Sequence, residues 1–392
     1  MIIVEHIKNG NEHSDGNASL IGLHLLKYPT KKIHLFSGLE HYNSIINILK
    51  NNNINYSNII FHEIRPFGNF VRDYKLIIFD FKIAKMVFDF ALQENINDIL
   101  FLYTSTFLLY YVKYFSLFYK FNIKMVLHGD LERIDVMNYA KSFDKGKIIQ
   151  FFYALLFGLK IPLNLGNFKN LNYIVYSESI KNNAVKILPK LKKQIIAIPH
   201  PYFYQEQQEY QAFKNNKLRL CVVGLSSMRK NIPSLKYLID ELNKIKNLNI
   251  SIIFAGKIID KKFLEYVLNI NFIEKFTLSN KSIATEIRDE AIKNSDYALL
   301  TYKLDSYKLI ANGAFMDAIN YEKPVLAIRN NYIENYFNKY GNIGYMFETI
   351  EDLLKKINDI RNNFPIDEYN LQVQNIRKIK QTENINYSVK LI

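Results

Sequence analysis

The chain is poor in the features that announce a special environment. Its 392 residues include one cysteine, Cys221. That excludes an intramolecular disulfide framework and fits a reducing compartment. No cysteine–histidine cluster has zinc spacing. No apolar run approaches the ~20 residues that a membrane span needs. The longest uncharged stretches, 99–112 and 148–159, read as core elements. The opening MIIVEHIKNG lacks the charged and long apolar regions of a signal peptide and reads as a buried first strand. Acidic residues are the scarcer charge, with 37 Asp and Glu against 51 Lys and Arg and a net charge of +14. No RNP, helix-turn-helix or zinc-finger pattern accompanies that excess, so no nucleic-acid partner is expected. The Asp residues are scattered, and no Asp-x-Asp motif of a metal-dependent transferase is found. A metal site is therefore not expected.

What is present is a large apolar fraction, 49%, enough for two ordinary domains with their own cores. Short apolar runs alternate with helical segments from Ile2 to Ile198. A second series runs from Leu218 onward, which predicts parallel sheets flanked by helices. The polar, proline-flanked stretch PHPYFYQEQQEYQAFKNN interrupts the rhythm and reads as a linker. The expected organisation is domain 1–200, linker 201–216, domain 217–366 and a tail helix 367–392. Ligands of open α/β sheets bind at the carboxyl ends of strands, so a cleft between two such domains is the default site.

The most informative stretch is YALLTYKLDSYKLIANGAFMDAINYEKPVLAI, from Tyr297 to Ile328. It reads as strand, loop, helix and strand. Asn312-Gly313 opens the helix, where free backbone N–H groups and the helix dipole favour an anion. The segment resembles the donor-binding half of GT-B glycosyltransferases, close to the GT4-like group (glycosyltransferase group 1). The matching residues are Thr301-Tyr302, Tyr307, Asn312-Gly313, Ala318 and Glu322-Lys323-Pro324-Val325. The chain departs from that family where many members carry two spaced glutamates. Asp317 holds the second position, and Leu309 the first. The resemblance implies two Rossmann-like domains facing across a cleft, with the last helix crossing back to the first domain. It also implies transfer of a sugar from a nucleotide-diphosphate donor, a UDP-sugar, to a hydroxyl of a glycan or lipid-linked acceptor. Such chemistry belongs with bacterial surface-polysaccharide synthesis, as in capsule or lipopolysaccharide. A non-catalytic subunit of the same fold and a sugar-nucleotide epimerase remain alternatives.

Three strand ends add candidate residues. The loop after the first strand carries Gly10, His13, Asp15, Gly16 and Asn17, in which Asp15 or Asn17 caps a helix or meets the acceptor. The run VLHGDLERI ends a strand with His128, Asp130 and Glu132; here Asp130, then His128, is the candidate general base. The run VVGLSSMRKN supplies Gly224, Arg229 and Lys230 to the donor diphosphate, Arg as a fork and Lys as a point charge. Lys308 adds a third cation, and Asp317 suits sugar hydroxyls. The Ala255–Lys257 turn is a candidate wall of the nucleoside pocket. His200 reads as structural, and Glu348 as a helix cap. Residues 1–100 hold ten Lys/Arg and ten Asp/Glu, whereas 101–200 hold fourteen and five. That excess beside aromatic text predicts contact with an anionic membrane surface by a cytoplasmic, peripheral protein.

Overall fold

A computed structural model describes residues 1–67, 75–141, 143, 146–166, 168–205, 212–228, 231–281, 283–303 and 307–385. The chain divides into two units. One comprises Met1–Phe203, Leu309–Ala311 and the chain from Glu383; the other comprises Tyr204–Lys308 and Asn312–Thr382.

Among the described residues, the first unit carries a parallel sheet of seven strands: β1 (Ile2–Val4), β2 (Ile33–Ser37), β3 (Ile59–Glu63), β4 (Asp98–Phe101), β5 (Asn122–Val126), β6 (Leu171–Val175) and β7 (Ile195–Ala197). Its order is β3-β2-β1-β4-β5-β6-β7. The helices are α1 (Ser14–Lys27), α2 (Leu39–Asn51), α3 (Lys75–Gln93), α4 (Thr106–Phe115), α5 (Val136–Lys141), α6 (Lys147–Phe157), α7 (Lys160–Asn164) and α8 (Glu178–Ile187). The second unit carries β8 (Leu218–Val223), β9 (Ile250–Ala255), β10 (Tyr297–Leu300), β11 (Val325–Ile328) and β12 (Gly344–Phe347) in the order β12-β11-β10-β8-β9. With them run α9 (Ile232–Asn243), α10 (Lys261–Leu268), α11 (Thr285–Lys293), α12 (Gly313–Asn320), α13 (Asn331–Tyr340), α14 (Ile350–Asn362) and α15 (Ile366–Glu383).

The central strands are apolar on both faces because helices cover both faces of a parallel sheet. ISIIFA and YALL are buried at every residue. Five helix starts share one device: the N-cap side chain accepts from the backbone N–H three residues on. Ser105, Asp260, Asn312, Asn330 and Thr349 do this for Leu108, Phe263, Phe315, Ile333 and Asp352. Each such cap stabilises its helix by about 1 kcal/mol. In both sheets the strand order reverses beside the first strand of the unit, at β1/β4 and β8/β10. Crevices of α/β sheets open at such switch points.

Some sequence expectations fail. Within the second alternating series the run 272–276 reads as a strand, but it is reduced to one bridge, Ile252 to Ile273. The helix at Asn331–Tyr340 and the strand at Gly344–Phe347 are not evident in the sequence, because polar residues interrupt the apolar period of the helix and the strand is only four residues long. The uncharged stretches are not core throughout. Helix α6 buries Ala154 alone, while Ile148 is 74% exposed. Past α4, Leu117 and Phe118 are also exposed. Among the described residues, no helix is long and apolar enough to cross a membrane.

Candidate active site

At the carboxyl end of the seven-stranded sheet the chain leaves β1 into a loop held from below by Glu5. This carboxylate is buried. Its Oε1 accepts from the backbone N–H groups of Ile7 and Lys8, both at 3.0 Å. Its Oε2 accepts from Asn17 Nδ2 at 3.1 Å. The same amide donates to His41 Nε2 at 3.0 Å, which leaves His41 Nδ1–H to donate to the Gly10 carbonyl at 2.8 Å. One chain of donors therefore fixes the tautomer of His41 and the path of the loop. Two further bonds pin the loop to α2: Asn9 to Glu40 at 3.0 Å and Ser44 to Asn11 at 2.8 Å.

This corrects the reading of Asp15 and Asn17 as caps. The N-cap of α1 is His13, in the left-handed region at φ 57°, with no side-chain cap. Asn17 is instead a buried link in the network, and Asp15 is exposed in the first helical turn, one residue before Gly16. The His13 ring meets His128 edge-on, with centroids 5.0 Å apart. His128 is 6.0 Å from Tyr176, whose ring lies 4.8 Å from His200. Four strand-end segments are thus joined by rings. His200 is buried, and burial lowers its pKa to about 3, as suits a structural histidine.

Asp130 is buried beside this cluster but is occupied. Tyr103 donates to Oδ2 at 2.6 Å, and the Arg133 guanidinium lies 3.1 Å from Oδ1. Burial and the neighbouring carboxylate push the Tyr103 pKa well above its usual value, so the hydroxyl stays a donor. Burial opposes the Arg133 charge, but Asp130, Tyr139 and Tyr153 hold it above the ordinary arginine value. Glu132, in the same turn, is half-buried. Sequence reasoning missed Glu5, His41, Tyr103 and Arg133. The signal for Glu5 was a carboxylate ending an apolar strand, and that for Arg133 its place three residues after Asp130; His41 and Tyr103 become neighbours only through the fold.

The five-stranded sheet ends differently. Gly224 leaves β8 at φ +82°. Gly256, leaving β9, is so close that a Cβ on it would lie 2.1 Å from the Gly224 carbonyl oxygen. The Ala255–Lys257 turn is therefore fixed by backbone packing. Tyr302 and Tyr307, both buried, pack edge to face at 4.8 Å. The Tyr302 hydroxyl reaches the Val223 carbonyl at 3.4 Å. These tyrosines brace the loop at the switch point. Asn312, fully buried, caps α12 by accepting from Phe315 at 3.2 Å. Because the N-cap serves Phe315, the N–H groups of Gly313 and Ala314 are the ones without an intrahelical partner. A Cβ on Gly313 would meet nothing within 4 Å, so space lies open at the helix start. Asp317 is half-buried one turn on, and Lys308 is half-buried in the loop before.

The last residues of the matched segment have structural work. Glu322 is gripped by Lys380 at 2.8 Å and Arg377 at 2.7 Å. Lys380 also donates to the carbonyls of Gln205 and Asn320, at 2.7 and 3.1 Å. Lys323 is buried, and burial lowers its pKa to about 7. Glu348 does not cap α14; Thr349 does, and Glu348 pairs with Arg329 at 2.5 Å. Arg229 and Lys230 lie outside the described residues. Among the described residues, no group of three or more His, Cys, Asp or Glu side chains is placed to hold a metal ion.

No protein-family model matches the chain, and no curated protein matches it in sequence. Solved structures match its fold. A glycosyltransferase from Rickettsia africae aligns with a TM-score of 0.62 at 13% identity, over 99% of this chain and 95% of that one. Sucrose-phosphate synthase from Thermosynechococcus elongatus aligns with a TM-score of 0.63 at 13% identity, over 99% and 96%. A mutant of S. aureus TarM, in complex with fondaparinux, α-GlcNAc-glycerol and UDP, aligns with a TM-score of 0.58 at 10% identity, over 100% and 98%. The chain has the GT-B fold of these enzymes.

Proposed function

We propose that the protein is a glycosyltransferase that takes a sugar from a nucleotide-diphosphate donor, a UDP-sugar, and passes it to an acceptor hydroxyl. The observation that carries this reading is the start of α12. It presents free N–H groups and open space at the switch point of a sheet whose fold is that of known sugar transferases. A diphosphate there gains from backbone donors and the helix dipole. In this reading the cations named from the sequence, Lys308, Arg229 and Lys230, offset the diphosphate charge, so departure of the nucleoside diphosphate is stabilised by protein groups without a metal. Asp317 takes sugar hydroxyls. The UDP and glycerol glycoside in the TarM complex support a UDP donor and a hydroxyl acceptor. The acceptor we favour is a glycan or lipid-linked alcohol of bacterial surface polysaccharide.

On the first unit, His13, Asp15, Gly16, Asn17 and Glu132 form the acceptor side. Of the two candidate bases, Asp130 and His128, we favour His128 in this reading. Both oxygens of Asp130 are engaged, whereas His128 is half-buried and meets the exposed loop residue His13. Asp130 then positions Arg133 and the turn. Loss of a general base costs about a hundredfold or more in turnover, so His128→Ala should show that loss and Asp130→Asn should retain most activity. The reverse pattern restores Asp130 as base.

The test of the whole reading is a thermal-shift panel of UDP, GDP, CMP, ADP and dTDP, with and without EDTA. A ligand at ~100 times its dissociation constant stabilises the native state by about 2.7 kcal/mol. A selective shift with one diphosphate, unaltered by EDTA, is expected. No shift with any nucleotide would leave a non-catalytic protein of the same fold.

A further inference from the structure

Sugar transfer has no use for the outer side of α6. The helix packs inward through Ala154, flanked by Phe151 and Leu155, against Val136 and Tyr139. Ile148, Phe152 and Leu156 recur every fourth residue, which puts them on one helical stripe, and Ile149 lies beside it. All four are exposed, Phe152 by 55% and Leu156 by 57%. Exposed apolar side chains continue at Ile161 and Leu165. Here the chain is tied to α4, where Lys113 Nζ donates to the Pro162 and Leu165 carbonyls at 2.6 and 2.5 Å. Leu117 and Phe118 follow α4 and are about two-thirds exposed, at 67% and 66%. Single exposed apolar residues are ordinary, whereas an apolar helix face with further apolar residues beside it marks an interaction site.

The charge of the same segments indicates the partner. Residues 145–177 contain four lysines and no Asp or Glu, and residues 99–129 contain three lysines and no Asp or Glu. Lys120, Lys147 and Lys169 are exposed. A second copy of this chain would bring the same lysines against themselves, which like-charge repulsion disfavours. A surface that is apolar below an anionic layer satisfies both halves of the face at once.

We propose that α6, α7 and the end of α4 form a membrane-docking face. Ile148, Ile149, Phe152 and Leu156 enter the lipid headgroup boundary, and the surrounding lysines meet anionic headgroups. The face is coupled to the acceptor end of the sheet. The Arg133 guanidinium lies over the Tyr153 ring of α6 at 5.2 Å and holds Asp130 at 3.1 Å. The proposal does not rest on the transferase reading, since docking is measured without turnover.

The test is flotation of the full chain with vesicles of phosphatidylcholine alone and of phosphatidylcholine mixed with phosphatidylglycerol, at low and high salt. Wild type should float with the anionic vesicles at low salt and be released by salt. The variant I148S/F152S changes exposed side chains, so its melting temperature and nucleotide response should stay as in wild type, while vesicle binding drops by about tenfold or more. Lys147→Glu should weaken binding further at low salt than at high salt. Wild type that ignores anionic vesicles would overturn the proposal. So would I148S/F152S binding as wild type does, or a wild-type dimer that I148S/F152S converts to monomer without any lipid binding by either.

Discussion

At the carboxyl end of the seven-stranded sheet, polar side chains hold one another. Glu5, Asn17 and His41 form one chain, and Tyr103, Asp130 and Arg133 form another. At the end of the five-stranded sheet the backbone does the corresponding work. Gly224 and Gly256 meet main chain to main chain, and α12 offers its first N–H groups over an open glycine. A diphosphate is the same in every donor of its class, and fixed amide dipoles suit it. Acceptors differ, and side-chain networks can be altered one residue at a time. The contrast teaches where specificity can change without loss of the fold.

The comparison can be broken by substitution, beginning with the largest effect. Glu5→Ala leaves the donors of Ile7, Lys8 and Asn17 without their acceptor in a buried place. We expect a loss of about 3 kcal/mol in urea unfolding. A loss within error would show that the loop does not depend on its carboxylate. Gly256→Val forces a side chain onto the Gly224 carbonyl and should cost about 2 kcal/mol through displaced backbone.

The histidines give a smaller, graded effect. Burial lowers the pKa of His24 to about 4 and of His200 to about 3, from an ordinary 6.5. Their native forms are neutral while their unfolded forms take up a proton below pH ~6.5. Their contribution is therefore complete above that pH and is lost as the pH falls toward the folded values. Each should add a slope of up to about 1.4 kcal/mol per pH unit between those limits. His24→Leu should remove its share of the slope in acid unfolding; an unchanged slope would place the titration elsewhere. The smallest effect on stability is the sharpest on ligand. Gly313→Ala meets nothing in the free protein, so its melting temperature should hold while the nucleotide-induced shift shrinks. An undiminished shift would move the diphosphate away from α12.

This contrast also explains what the sequence made legible. A backbone site needs particular residues at fixed places along the chain. Gly224 after an apolar strand and Asn312-Gly313 before an apolar helix could be read directly. A side-chain network needs only partners that the fold brings together. Glu5 meets His41 through Asn17, and Tyr103 meets Asp130, across separations that no local pattern records. The alternation of strands and helices was visible because buried parallel strands are continuously apolar. The tail was visible in part: Ile376 and Ile379 are buried, but Leu371 is exposed. Helix α6 deceived for a physical reason. An apolar run with an exposed face and one buried in a core have the same composition, and only the exposure of Ile148 and Phe152 separates them.

The grip on Glu322 has a consequence for how the protein is born. Its partners Arg377 and Lys380 follow it by 55 and 58 residues. In the first unit, Ile385 is buried and lies against Gly22. A ribosome delivers residues in order, and domains tend to fold as they emerge. Here each unit is held by side chains that follow its last strand in the sequence. A nascent chain arrested before Arg377 would carry every strand of both sheets while Glu322 still lacked Arg377 and Lys380, and Gly22 its neighbour Ile385.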